Sequence, residues 1–402
     1  MSFVLRIIIV FVLIYLLEFY FIKKAAGSFT SVLSRINWKH YKIPLIILLI
    51  FLNLYPLFLL IFYLKGPPLP DNRLTDYLLV FPFWIYVLIV IQCSLLFLLM
   101  LVIKGILYPV YKKNKPAYRD YENKIIFMLI LYFALYVPAR IVFDYNTVSV
   151  RSVVLKKHNL NPALNNFRIV FISDVHADRH TGNKRLGNYV SKVNKLHPDL
   201  VLIGGDFISG TPQYIETAAE YMGMIKSKYG VYSCRGDHDH WAYRPDIQRS
   251  INAVTDELEK YNVLMLNNEN RIINVKGAKI LTSFITYTYP DKISQIELDT
   301  LLSAKKQDLN IALIHQPEGG IPREAADKNY DLMLAGHTHG GQITFLFPFF
   351  NLSPTLIETK YVRGNFQIDN MLMIVTRGLG MSLVPFRLNS TPEITVITIK
   401  PN

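Results

Sequence analysis

Four long apolar runs near the N-terminus constrain the fold of this chain more than any other feature. They occupy residues 3–22, 43–64, 77–103 and 125–143. Each is near or above the roughly 20 residues that a helix needs to cross about 30 Å of hydrocarbon. The first run lacks the basic start and small-residue cleavage site of a signal peptide, so it also counts as a span. The sequence therefore predicts an N-terminal all-α transmembrane bundle of four helices over residues 1–145.

The basic charge of the chain is concentrated in this bundle. Residues 1–150 hold 15 lysines and arginines and 6 acidic residues, which is +9 of the formal net charge of +13. Most of these charges lie in loops between spans, where they indicate orientation and no nucleic-acid partner. The loops after the first and third spans are rich in lysine and arginine, whereas the second loop has Lys65 and Arg73 against Asp71 and Asp76.

The positive-inside rule places the two basic loops in the cytoplasm. We therefore expect a multi-pass protein of the cell (cytoplasmic) membrane, in contact with the lipid bilayer, whose soluble part lies on the extracytoplasmic face. Glu18 is close to Lys23 and is expected to snorkel to the interface. The spans hold few other charges, which argues against a transporter.

From residue 146 the pattern changes to short β-branched runs separated by helical stretches, which is typical of an α/β layered domain. The sequence predicts a second domain over residues 146–402. Its clearest predicted strands are 168–173, 200–204, 230–234, 310–314 and 331–335, with two later strands at 371–375 and 393–399. The predicted helices are 184–196, 212–229 and 245–260.

Each of the five clearest strands ends in potential metal ligands. The carboxyl ends of strands form one rim of an α/β sheet, and ligand sites are built on that rim. Each motif alone is weak evidence, but five at the same end of successive strands predict a single site. The predicted ligands are Asp174, His176, Asp206, Asp237, His315, His337 and His339.

This set of ligands indicates the chemistry of the site. Carboxylates and neutral imidazoles suit manganese, iron or zinc, and the absence of thiolates argues against a structural zinc site. Seven ligands require two divalent ions unless several are idle. Two ions bridged by a carboxylate hold a hydroxide and clamp the oxygens of a phosphoryl group for in-line attack. The sequence therefore predicts a hydrolase acting on phosphate esters.

The order Asp-x-His, Gly-Asp, Gly-Asp-His-Asp, His, Gly-His-x-His resembles that of the calcineurin-like metallophosphoesterase superfamily, over about residues 167–399. In that superfamily the third motif is usually Gly-Asn-His-Asp. The segments 336–342 (GHTHGGQ) and 377–380 (RGLG), followed by 385–387 (PFR) and 392–394 (PEI), are similar to the membrane-associated YkuE-type branch. The resemblance implies an α/β/β/α sandwich and a dinuclear metal centre. It also implies that His238 acts at the leaving-group oxygen and that Asp239 orients its ring.

By the same resemblance one metal ion takes Asp174, His176 and His339, the other takes Asp237, His315 and His337, and Asp206 bridges them. Asp237 departs from the pattern, since the family usually has Asn there. The extra negative charge should tighten metal binding and disfavour a dianionic monoester. We therefore expect a phosphodiester or diphosphate substrate, from an envelope lipid or a lipid-linked molecule.

Two alternatives remain from the sequence. Some members of the family cleave the diphosphate of UDP-2,3-diacylglucosamine, a cytoplasmic substrate that the expected orientation disfavours. A non-catalytic membrane protein with a metal- or ligand-binding domain is the other.

Several further residues carry two interpretations. Arg377, Arg235 and His240 lie near the predicted rim and would contact substrate or form structural pairs. The apolar segment 345–350 (FLFPFF) is a core or edge segment, or else an apolar lip that lies on the bilayer and admits a lipid.

Overall fold

The computed structural model describes residues 3–65 and 72–402, and side chains for residues 9–61 and 72–402. The chain divides into two compact units. The helical unit extends to Arg140 and also takes Phe345–Asn351, and the sheet unit takes Ile141–Thr344 and Leu352–Asn402. The predicted domain boundary at residue 145 stays a prediction.

Apolar helices make up most of the helical unit. They are α1 Phe3–Val32, α2 Lys42–Leu52, α3 Leu54–Lys65, α4 Arg73–Thr75, α5 Phe81–Ile106, α6 Tyr108–Lys113 and α7 Lys115–Asn146. A π-helical turn, Asp76–Val80, makes α4 and α5 continuous.

Three stretches of the described residues are long and apolar enough to cross a membrane: Trp38–Ile61, Arg73–Ile106 and Lys115–Asn146. The predicted count of four spans is not confirmed. Residues 3–8 of the first run and 62–64 of the second lie outside the described side chains, as does Asp71 of the second loop.

Charged side chains join one set of helix ends. Glu122, near the start of α7, accepts hydrogen bonds from Lys24 in α1 at 2.8 Å and from Lys104 at the end of α5 at 2.7 Å. The two basic loops therefore lie at the same end of the helices, as their shared sign predicts. Which face of the membrane this is stays a prediction.

Glu18 does not snorkel, contrary to the sequence-based expectation. Its side chain is buried, and its carboxylate accepts hydrogen bonds from the amide of Asn53 and the hydroxyl of Tyr86, both at 2.8 Å. Asn53 lies between α2 and α3 and Tyr86 lies on α5, and the sequence pattern of α1 alone reveals neither partner.

The sheet unit has two six-stranded mixed sheets. The first sheet contains β1 Ser149–Lys157, β2 Arg168–Ile172, β3 Leu200–Ile203, β4 Val231–Ser233, β5 Val263–Met265 and β14 Glu393–Pro401. The second contains β6 Glu269–Val275, β7 Ala278–Ile285, β8 Leu309–Ile314, β9 Leu332–Ala335, β12 Gly364–Ile368 and β13 Met371–Val375. The strand order is β1-β14-β2-β3-β4-β5 in the first sheet and β12-β13-β9-β8-β7-β6 in the second. A separate hairpin pairs β10 Phe345–Phe347 with β11 Phe350–Leu352.

Apolar side chains that point alternately to the two faces of each sheet form three apolar layers. In β2, Ile169 and Phe171 face the second sheet, and Val170 and Ile172 face helices, as the two-residue period of a strand requires. The helices on the first sheet are α8 Asn183–Lys195, α9 Ile215–Gly223 and α10 Ile247–Lys260. Those on the second sheet are α11 Gln295–Leu302 and α12 Ile321–Asp327. The layers run helices, sheet, sheet, helices.

Two local predictions differ from the structure. The predicted helix 212–229 ends early, because the side chain of Asn194 bonds the carbonyl of Met224 at 3.0 Å and the N–H of Lys226 at 2.7 Å. These contacts take backbone groups that a longer helix would use. The β6–β7 hairpin was not predicted, although Lys276 and Gly277 between its strands both have positive φ, as a tight hairpin turn requires.

Candidate metal centre

The strand ends bring all seven predicted ligands to one edge of the sheet unit. Their ligand atoms form two groups, in each of which the atoms lie within 4.8 Å of one another. The first group follows β2, β3 and β9, and the second follows β4, β8 and β9. The groups are Asp174, His176, Asp206 and His339, and Asp237, His315 and His337.

In the first group, nitrogen and oxygen lone pairs converge. Nε2 of His176 lies 3.3 Å from Oδ2 of Asp206 and 3.1 Å from Nε2 of His339. Nε2 of His339 lies 3.7 Å from Oδ1 of Asp174. Two ring nitrogens at this separation need a proton or a cation between them.

In the second group, Oδ2 of Asp237 lies 2.9 Å from Nδ1 of His337 and 3.3 Å from Nε2 of His315. The same His315 nitrogen is 3.3 Å from Oδ2 of Asp206. One oxygen of Asp206 therefore faces both groups, which is the position of a bridging ligand.

Unpartnered buried atoms test whether metal ions fit here. Among the described residues, Oδ2 of Asp174 has no hydrogen-bond partner, and Nε2 of His315 is close to two carboxylates without a well-aligned bond to either. Buried polar atoms are normally satisfied, so these atoms are suited to bind a cation. Mixed carboxylate and imidazole donors fit two divalent ions.

The other nitrogens of two ligand rings are held as metal sites require. Nδ1 of His315 donates to the carbonyl of Gly204 at 2.6 Å, which leaves Nε2 for a metal. Nε2 of His337 lies 2.8 Å from a carboxylate oxygen of Glu358, which leaves its Nδ1 for a metal. Glu358 was missed at the sequence level, because nothing in its neighbourhood marks it.

The charges of the site are strongly coupled. Burial raises the pKa of Asp174. Burial also opposes ionisation of Asp206, but the charges of His315 and His238 outweigh it and lower the pKa of Asp206 well below its usual range. A carboxylate that stays ionised although it is buried is suited to bridge two cations.

The backbone at the ligands is strained. Five of the seven have positive φ: Asp174 at 54°, His176 at 45°, Asp206 at 59°, His337 at 70° and His339 at 50°. Residues other than glycine rarely adopt this region, and such strain clusters at functional sites.

Glycines let the strand-end loops approach each other. A Cβ at Gly236 would lie 2.2 Å from the backbone nitrogen of Asp206, and one at Gly336 would lie 1.9 Å from Oγ of Ser173. These distances exclude any side chain at either position.

His238 lies beside the first group. Its Nδ1 donates to the carbonyl of Ser209 at 3.0 Å, and its Nε2 faces the hydroxyl of Ser382 at 3.3 Å. Burial lowers the pKa of His238 to about 4. Its ring packs edge-on against that of His176, with 4.6 Å between centroids, so it is placed at the metal centre without being a ligand.

The expectation that Asp239 orients the His238 ring is wrong. The Asp239 carboxylate is fully buried and accepts the backbone N–H groups of Asp206 at 3.0 Å, Phe207 at 2.8 Å and Gly236 at 2.9 Å. Burial, followed by the charge of Asp206, raises the pKa of Asp239 to about 7. Asp239 therefore positions two ligand-bearing loops and does not touch the reacting groups.

The three predicted substrate contacts face carboxylates. Nη1 of Arg235 and Nε2 of His240 lie 3.6 and 3.8 Å from the same oxygen of Asp291. Nε of Arg377 lies 3.6 Å from a carboxylate oxygen of Glu393. These contacts agree with the structural interpretation of the three residues, and contact with substrate stays a prediction.

Asp237 is held by two residues that sequence reasoning missed. The amide nitrogen of Gln316 donates to both its oxygens, at 2.9 and 2.8 Å, and the N–H of Tyr289 donates to Oδ1 at 2.6 Å. Three donated hydrogen bonds require a carboxylate, because an amide would turn its own N–H₂ towards a donor or towards the metal. The position of Gln316 directly after a predicted ligand was the available signal.

Arg387, in the motif 385–387, is a fully buried cation. Its guanidinium donates to the carbonyls of Gly380, Arg377 and Ser390, and its Nη2 lies 3.2 Å from Nδ1 of His339. Burial, with the charges of His176 and Arg387, holds the pKa of His339 well below its usual range. The imidazole is thereby kept neutral, as a metal ligand must be.

Comparison with known proteins agrees with this geometry. Residues 167–341 match the family model of the calcineurin-like phosphoesterases. A Campylobacter jejuni protein named as an uncharacterized metallophosphoesterase is 29% identical over 63% of this chain and 64% of its own length. A Bos taurus transmembrane protein with metallophosphoesterase domain is 29% identical over 63% of this chain and 57% of its own length.

The metallophosphoesterase YkuE of Bacillus subtilis is 29% identical over 58% of this chain and 79% of its own length. The match thus spans less than two thirds of the Campylobacter and bovine proteins. The ligand geometry, the family match and the three relatives agree: residues 167–341 are similar to the calcineurin-like phosphoesterases.

Proposed function

We propose that this protein is a membrane-anchored, metal-dependent phosphoesterase that hydrolyses a phosphodiester or diphosphate bond in a lipid-linked substrate. The observation that carries the proposal is the pair of ligand groups that share Asp206. Asp174, His176 and His339 would hold one ion, and Asp237, His315 and His337 the other. When bound, the two ions supply an activated hydroxide and stabilise phosphoryl charge. His238 stands beside them, able to exchange a proton at the leaving oxygen.

The charge of Asp237 supports the choice of bond. Its carboxylate is fixed by Gln316 and Tyr289, so the site keeps one more negative charge than an Asn would give. A phosphodiester carries one negative charge and a monoester two, so repulsion from this carboxylate disfavours the monoester.

Exposed apolar side chains beside the site support a lipid-linked substrate. Leu383 is fully exposed and follows Ser382, which contacts His238. Ile357 is 93% exposed and precedes Glu358, which contacts His337. Apolar residues in such positions are suited to an amphiphile.

Turnover by the full chain in detergent or nanodiscs tests the proposal. The protein loaded with manganese should hydrolyse an aryl phosphodiester faster than the matching monoester, and His315→Ala should abolish both reactions. His158→Ala, on an exposed histidine outside the site, is the control and should keep full activity. No turnover by a sample shown to contain two metal ions would favour the metal-binding, non-catalytic alternative.

Orientation separates the proposal from UDP-2,3-diacylglucosamine cleavage. We propose that the sheet unit lies on the extracytoplasmic face, because the two basic loops share the opposite side. A reporter that is active only outside the cytoplasm, fused after Asn402, should be active. Activity of a cytoplasmic reporter instead would support the nucleotide-linked lipid as substrate.

A further inference from the structure

The β10–β11 hairpin belongs to the helical unit, although it lies far along the chain from the helices. Residues 345–351 group with the segment that ends at Arg140. The hairpin residues 345–352 (FLFPFFNL) include no charged side chain. The rings of Phe347 and Phe350 pack at 5.0 Å between centroids. The hairpin is therefore an apolar element packed within a unit of apolar helices.

Gln92 of α5 holds the hairpin through its backbone. The side-chain amide of Gln92 donates to the carbonyl of Leu346 at 2.8 Å, and its carbonyl oxygen accepts the N–H of Leu346 at 2.8 Å. Gln92 is fully buried. One glutamine thus supplies both hydrogen bonds that a neighbouring strand would give to Leu346.

The position of Gln92 along α5 gives the depth of this contact. Gln92 precedes Lys104 by 12 residues, which is about 18 Å along a helix axis. Lys104 and Lys24 bond Glu122 at the charged end of the helices. Half of a hydrocarbon layer is about 15 Å, so Gln92 lies near the middle of the apolar part of α5.

At that depth water does not satisfy backbone groups, and irregular backbone is tolerated only where protein satisfies it. The paired bonds from Gln92 meet this requirement for Leu346. At the tip, Phe349 is fully exposed with φ of 72°, and Phe350 is half-exposed. Two exposed aromatic rings on an uncharged turn suit a hydrocarbon environment and not water.

We propose that this hairpin is a re-entrant membrane element whose tip, Phe349 and Phe350, lies among the acyl chains of the bilayer. The inference rests on the span of α5 and is independent of catalysis. The hairpin begins six residues after His339 in the sequence, so the segment that carries a metal ligand continues into a lipid-contacting turn.

Depth-dependent fluorescence quenching in phosphatidylcholine nanodiscs tests the proposal. Phe349→Cys introduces one accessible thiol, because Cys93 and Cys234 are both buried. An environment-sensitive fluorophore at position 349 should emit at shorter wavelength, be quenched several-fold by lipids with a nitroxide on the acyl chain, and resist aqueous iodide.

The matched control is Ile296→Cys, on an exposed position of α11 in the sheet unit. Its label should be quenched by iodide and not by the lipid nitroxide. Equal iodide quenching at 349 and 296 would overturn the proposal.

A second variant tests whether Gln92 holds the hairpin in place. Gln92→Leu in the Phe349→Cys background removes both bonds to Leu346 and should shift the label at 349 towards iodide and away from the lipid quencher. The control is Ser94→Ala, two residues further along α5, which should leave both quenching signals unchanged. A label that stays deep in Gln92→Leu would show that Gln92 does not hold the hairpin, and the first measurement still decides its depth.

Discussion

The two units differ in where their unpartnered buried polar atoms lie. In the helical unit, Glu18 is met by Asn53 and Tyr86, and Gln92 is met by the backbone of Leu346. Among the described residues, the unpartnered atoms of the helical unit belong to three separate segments: Oη of Tyr20, Nε1 of Trp38 and Oδ1 of Asn53. In the sheet unit, Oδ2 of Asp174 and Nε2 of His315 are unpartnered and both belong to the candidate metal centre. Burial alone therefore does not mark a functional site, but convergent unsatisfied donors and acceptors do.

Paired polar side chains therefore stabilise the fold, whereas the unpaired atoms of the candidate metal centre are available to bind ligands. The paired groups join α1 to neighbouring segments of the helical unit and α5 to the hairpin. The unpaired groups converge on positions that cations would fill. Substitutions should therefore change stability in the first unit and metal content in the second.

The largest expected effect is that of Asp206→Asn. The bridging oxygen faces both ligand groups, so its loss should weaken both metal sites by more than the roughly 10- to 100-fold typical of an outer partner. Metal content by mass spectrometry should fall from two ions towards none, and diester turnover with it. Two tightly bound ions in this variant would contradict the bridging role.

The next largest effect on metal affinity is expected when Asp237 or Gln316 is substituted. Asp237→Asn turns an amide N–H₂ towards a donor, and Gln316→Glu places a second carboxylate against the first. Each should lower metal affinity about 10- to 100-fold. The double variant should recover part of the loss, because the new carboxylate accepts from the new amide. Metal titration by calorimetry measures this coupling, and additive losses would exclude it.

The same Asp237→Asn variant tests the expected substrate charge. Removing one negative charge should lower the ratio of diester to monoester turnover. Parallel assays on the two aryl esters give this ratio, and an unchanged ratio would remove the argument for a diester.

A smaller effect is expected at Glu18. Glu18→Leu removes the acceptor for Asn53 and Tyr86 and should cost about 1–3 kcal/mol of stability, whereas Glu18→Gln keeps an acceptor and should cost less. Thermal unfolding in detergent measures the difference. Both variants should retain two metal ions, and metal loss in either would break the contrast between the units.

The smallest effect concerns apolar residues near the site and at the hairpin. Leu383→Ser with Ile357→Ser, and separately Phe349→Ser with Phe350→Ser, should slow turnover of a long-chain substrate several-fold more than that of a soluble diester. Ile296→Ser is the exposed control. Equal losses on the two substrates would remove the lipid argument.

The sequence predicted that the seven candidate ligands converge, because the ends of the strands carry their positions. Asp174, Asp206 and His315 follow short β-branched runs, and the rim of a sheet gathers such residues. Contacts between distant loops could not be predicted from the sequence. They determine the positive φ of five ligands, the role of Asp239, and the positions of Gln316 and Glu358 beside the ligands. Glu18 was misjudged for the same reason, since its partners Asn53 and Tyr86 lie outside α1.

The β10–β11 hairpin interrupts the sheet unit in the sequence, and this affects whether that unit can be produced without the helices. The chain leaves the sheet unit after Thr344 and returns at Leu352, so the sheet unit is not one contiguous segment that can be expressed by itself. Residues 146–402 expressed alone would carry Phe349 and Phe350 into water and should self-associate. Shortening 345–351 to a polar turn should restore a monodisperse protein.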